Sequence, residues 1–70
     1  MMIEVFKTNV QTAEDADKAI SMLQYHLPYS RINFDLEDCD KVLRIEAQHI
    51  QADKIIELLG KYGHHCQLLD

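Results

Sequence analysis

The residues of this chain that could do chemistry are four histidines, two cysteines and a short run of carboxylates. His64, His65 and Cys66 are consecutive, and imidazole and thiolate are the usual ligands of zinc and copper. On an extended strand, however, neighbouring side chains point to opposite faces, so His64 and His65 cannot readily reach one ion together. The run Glu37-Asp38-Cys39-Asp40 offers oxygens to a hard cation, but it lacks the spacing and the glycine of a calcium loop. A solvated acidic turn accounts for it. Cys39, set among carboxylates, is a poor nucleophile, and Cys66 reads as a small core residue. His26 and His49 read as helix-end and loop residues; a charged His26 near a helix C-terminus is favourable. No serine stands in a nucleophile-elbow setting. With only Gly60 and Gly63 present, there is no glycine-rich phosphate loop. No catalytic set stands out, so the expectation is a protein that is not an enzyme and carries no cofactor.

The elements that must position these residues are legible from periodicity. The stretch Ser30–Ala47 is the clearest. Ile32, Phe34 and Leu36 alternate with Asn33 and Asp35; after the acidic run, Leu43, Ile45 and Ala47 alternate with Arg44 and Glu46. Such alternation on both sides of a short turn predicts an antiparallel hairpin with one buried face. A hairpin alone is not stable in water, so flanking segments must cover it. Met2–Thr8 reads as a strand with Ile3 and Val5 inward and Phe6 on the opposite face. Asn9–Thr12 connects it to a helix from about Ala13 to about His26. Thr12 is its N-cap with Asp15 three residues on, and Glu14, Asp15 and Asp17 complement the helix dipole. Ala16, Ala19, Ile20, Leu23 and Leu27 form its apolar stripe, and Pro28 stops it. After the hairpin, Gln48–Gln51 leads into a second helix with Ala52, Ile55, Ile56 and Leu59 inward and Tyr62 extending the stripe. Gly60 inside this helix suggests close approach to the sheet, and Gly63 is placed as the C-cap glycine. A short last strand, His64–Asp70, puts Cys66 and Leu68 on one face.

The order β-α-β-β-α-β is the split βαβ, ferredoxin-like arrangement of an α+β domain. With right-handed crossovers, it gives a four-stranded antiparallel sheet of order 4-1-3-2 with both helices on one face. Seventy residues make one domain, residues 1–70, with a thin stability margin. The net charge of −5 and the seven scattered basic residues argue against a nucleic-acid partner. No apolar run is long enough for a membrane helix. The first residues lack a signal-peptide pattern, which points to the cytoplasm and to reduced thiols at Cys39 and Cys66.

From Asn33 to Leu69, the runs N-F-D-L-E-D-C-D-K-V-L-R-I-E and I-I-E-L-L-G-K-Y-G-H resemble the second hairpin, second helix and glycine turn of the heavy-metal-associated domains. These are the domains of copper chaperones and P-type ATPase tails, and the resemblance covers nearly the whole chain. It implies the same fold. It also implies a metal site at the start of the first helix, where the family carries C-x-x-C. Here Thr12 and Asp15 stand at the two cysteine positions, and Asn9 and Val10 stand where the family has Gly-Met. Lys7 lies where the family has an inward apolar strand residue; it either snorkels towards the loop or pairs with a nearby carboxylate. His64 matches the position after the glycine turn that lies beside the metal. The resemblance therefore leaves Asp15 and His64 as the candidate metal ligands, suited to a divalent ion and not to thiolate-bound copper. The expected function is a non-catalytic, metal-site-degenerate domain used for protein contact or self-association through its sheet edges. The alternative is a divalent metal binder built on His64 and Asp15, with Cys39 or His65 added through oligomerisation.

Overall fold

A computed structural model describes residues 1–69. Asp70, with which the expected last strand ends, lies outside them. The chain runs β1 (Met2–Thr8), α1 (Ala13–His26), β2 (Arg31–Asp35), β3 (Val42–Ala47), α2 (Ala52–Lys61) and β4 (Cys66–Leu68). The strands form one antiparallel sheet in the order β2-β3-β1-β4, which is the expected order counted from the opposite edge. This is the α+β, ferredoxin-like βαββαβ architecture.

The hairpin follows its alternation. Ile32 pairs with Ile45 and Phe34 with Leu43, and directly opposed residues of a ladder share a face. Leu43 and Ile45 are fully buried, whereas Ile32 and Phe34, on the outer strand, are half-buried. Leu36 belongs to the turn and not to the strand.

The phase of β1 is the reverse of the expectation. Phe6 is fully buried and faces Leu43, while Ile3 is half-exposed on the open side of the sheet. The two phases differ in what travels with the apolar residues. Turning Ile3 and Val5 inward would take the Lys7 ammonium with them, and burying an unpaired charge is expensive. The observed phase buries Phe6 and Thr8 instead, and places Glu4 at the half-buried start of the strand. Lys7 accordingly points to the open face and not inward.

Both helices cover the face that carries Phe6, Leu43 and Ile45. On α1, Ala16, Ala19, Met22 and Leu23 are buried; Met22 joins the expected stripe, whereas Ile20 and Leu27 are half-buried. Thr12 caps the helix, its Oγ1 accepting the Asp15 N–H at 3.1 Å. On α2, the inward set is Ile55, Leu58 and Leu59, whereas Ile56 and Tyr62 are exposed. Positions 55, 58 and 59 form the i, i+3, i+4 stripe of one helix face, and Ile56 lies beside it. Gly60 does not approach the sheet: a Cβ there would meet nothing within 4 Å. Gly63 does what its position suggested. At φ +84° it lets the chain leave α2 with the Gly63 N–H bonded to Gly60 O and the His64 N–H to Leu59 O, both at 3.0 Å. These are the two bonds of a Schellman ending.

Candidate functional site

Three connections meet at one end of the sheet: residues 9–12, the hairpin turn 36–41, and residues 62–65. Thr8, at the end of the central strand β1, holds them together. Its N–H bonds Asp40 O at 3.0 Å, and its Oγ1 donates to Lys41 O at 2.6 Å and accepts the Val10 N–H at 3.2 Å. Asn9 joins the third connection, with its N–H on His65 O at 3.2 Å and its Oδ1 accepting the His65 N–H at 2.8 Å. The N-terminus of α1 and the C-terminus of α2 lie at this same end. Here the candidate ligands sit. Asp15, half-buried, is in the first turn of α1, and half-buried His64 directly follows Gly63.

Among the described residues, Asp15 and His64 fall in no group of three or more potential ligands. The group that does form is Asp38, Cys39 and Asp40, whose ligand atoms lie within 4.8 Å of one another. Its carboxylates have structural partners. Asp38 Oδ1 accepts the Asp40 N–H at 2.8 Å, closing the turn, and Asp40 pairs with Lys7 at 3.9 Å. Lys7 thus takes the second of its two expected roles, with Asp40 as its carboxylate. Lys41, at φ +47°, donates its Nζ to Leu36 O at 2.9 Å. The turn is a self-contained, hydrogen-bonded loop.

The thiolate-bound copper of the heavy-metal-associated domains finds no fitting donors at the first helix. Thr12 Oγ1 is committed to the Asp15 N–H, and a soft monovalent copper ion needs sulfur, which neither residue offers. The two thiols are elsewhere. Cys39 is exposed in the turn. Cys66 is half-buried opposite Thr8, and desolvation by burial pushes its thiol from 9.0 up to about 12. A thiol held neutral so far into the alkaline range is neither nucleophile nor ready ligand.

Sequence reasoning passed over two features. One is Thr8, read as a polar strand end; its place on the face of Phe6 would have marked it once the phase of β1 was right. The other is a groove of about 400 Å³ between the end of α1 and α2. Leu27, Ile55 and Leu58 contribute apolar side chains to it, with His26, His49 and Lys54 among its polar ones. The topology carries that signal, because the βαββαβ order returns the end of α1 and the start of α2 to the same end of the sheet.

No protein-family model matches the chain, and a search of the curated proteins finds no match. Among the described residues, no helix is long and apolar enough to cross a membrane.

Proposed function

We propose that this chain is a non-catalytic domain of the heavy-metal-associated type that has lost its thiolate metal site and serves protein contact, including self-association, through the edges of its sheet. The observation that carries this is topological. β2 and β4 are both edge strands, and each turns one row of backbone N–H and C=O groups outward, which is the template for strand addition. Light scattering after size exclusion, over a concentration series, tests the self-association part. A mass that rises from one chain toward two is the expected result. A constant single-chain mass at every concentration refutes self-association.

A second reading has its own support. The Asn9–His65 bonds hold the connection that leads into α1 against the segment that carries His64. In this reading a divalent ion is bound by Asp15 and His64, with further ligands from Cys39 or His65 of another copy. Calorimetric titration with Zn(II) then gives submicromolar binding that His64→Ala weakens at least tenfold. Identical titration curves for the two proteins would end this reading.

A further inference from the structure

We propose that β2 pairs antiparallel with β2 of a second copy of this chain, about a two-fold axis at Asn33, and that Arg31 and Asp35 set the register. This rests on the self-association reading above and adds to it the strand, the alignment and the residues that enforce it.

Along β2 the chain reads Arg31-Ile32-Asn33-Phe34-Asp35. Laid antiparallel on itself about Asn33, Arg31 meets Asp35 of the second copy and Asp35 meets its Arg31. Ile32 meets Phe34, and Phe34 meets Ile32. The strand is its own complement in charge and in polarity, which is what an isologous two-fold interface requires. Competing alignments lose this. A slide of two residues sets a charge against Asn33. A slide of one residue turns the apolar pair to the wrong face. A parallel arrangement opposes like charges.

Among the described residues, neither charge has an ion-pair partner. Arg31 stands across the ladder from Glu46, but Glu46 is held by Arg44 at 2.8 Å. Asp35 stands across from Val42. One of its oxygens accepts the Glu37 N–H at 3.2 Å, and among the described residues no cation pairs with it. Ile32 and Phe34 are left half-buried on the helix-covered face, and a second β2 would cover their outer sides. Tyr29, 97% exposed just before the strand, falls opposite Glu37 of the second copy in the same alignment.

Charges on an edge strand normally repel other strands. Here one positive and one negative charge sit symmetrically about Asn33, so the edge rejects most strands and accepts its own. The other edge, β4, is three residues long and uncharged (Cys66, Gln67, Leu68), and offers nothing to fix a register. Five paired residues bury much less than the roughly 1,000 Å² of a tight interface, so the dimer is weak and forms at high protein concentration.

Sedimentation of wild type, Arg31→Asp and Asp35→Arg up to millimolar concentration tests this, with circular dichroism confirming that each variant is folded. Each single change sets like charges against each other at both symmetric positions, and weakens dimerisation about tenfold or more. An equimolar mixture of the two variants restores dimers as heterodimers, because every cross-strand position again carries opposite charges. A wild type that stays monomeric overturns both this proposal and the self-association reading. A wild-type dimer that either single change leaves intact, or that the mixture does not restore, overturns β2 pairing alone and moves the interface to another surface.

Discussion

Replacing Thr8 by Val tests whether one hydroxyl organises the loop end of the sheet. Valine keeps the shape and β-branching of threonine, so the strand geometry and the packing beside Phe6 are preserved. The hydroxyl is lost, with its 2.6 Å bond to Lys41 O and its 3.2 Å bond from the Val10 N–H. Thr8 and Val10 are both buried, so the freed Val10 N–H has no easy access to water. Losing one net hydrogen bond costs about 1 kcal/mol, and leaving a buried donor unsatisfied adds about 1–2 kcal/mol. The expected total is about 2–3 kcal/mol, a large share of the stability of so short a chain. Urea unfolding followed by far-ultraviolet circular dichroism should show the midpoint falling by about 1.5 M with an unchanged slope. The melting temperature should fall by about 10 °C or more. Thr8→Ser, which keeps the hydroxyl, should lose much less. A loss below about 0.5 kcal/mol for Thr8→Val, the level of an ordinary surface change, would refute the role given to Thr8. So would a serine variant as unstable as the valine one.

Gly63→Ala should destabilise the chain by about 1 kcal/mol, because φ +84° is strained for any L side chain although a Cβ there meets nothing within 4 Å. Urea unfolding measures it, and a neutral result would contradict the Schellman ending. In the folded protein near pH 8, iodoacetamide should modify exposed Cys39 and spare Cys66 until denaturant is added; mass spectrometry of the digested protein reads both sites, and equal labelling would show Cys66 to be accessible. The same thiol gives stability a pH dependence of defined sign. Its folded value of about 12 lies above the unfolded 9.0, so above pH 9 the unfolded chain releases this proton while the folded chain keeps it. The contribution is whole below pH 9 and declines as pH rises towards 12, and Cys66→Ser should flatten that decline relative to wild type.

How far the fold could be foreseen depended on whether a segment offered one periodic solution or two. The hairpin offered one. Ile32 and Phe34 flank polar Asn33, and Leu43 and Ile45 flank polar Arg44, so the buried face of each strand followed directly. Helix α1 was bounded by Thr12 and Pro28, and the end of α2 by Gly63, each through a local backbone requirement. Strand β1 offered two solutions, since Ile3 and Val5 compete with Phe6 for the inside. What separates them is the cost of burying Lys7 against that of burying Thr8. Thr8 is cheap to bury only because Lys41 O and the Val10 N–H are there to meet it, and those partners belong to other parts of the fold. The same limit applied to the helix faces: Leu58 and Ile56 are both plausible until the sheet decides which side of α2 is covered.

The candidate site was less legible for a related reason. Asp15 and His64 came from a resemblance, and that resemblance says which positions lie near a metal but not which atoms are free to bind one. Thr12 shows the difference, because its oxygen, at the position of a cysteine ligand in the heavy-metal-associated domains, is already the cap of α1. Asp38 and Asp40 show it again: one carboxylate closes a turn and the other faces Lys7. Among the described residues neither Arg31 nor Asp35 has an ion-pair partner, although Asp35 accepts the Glu37 N–H, yet nothing local distinguishes them from the other charged residues of the hairpin. Their distinction comes from the order β2-β3-β1-β4, which makes β2 an edge, and from the Arg44–Glu46 pair within β3, which occupies the carboxylate across from Arg31. A charge at the centre of a sheet has a neighbouring strand on each side. At an edge half of those neighbours are missing, and a strand that reads as its own complement can obtain them from another copy of itself.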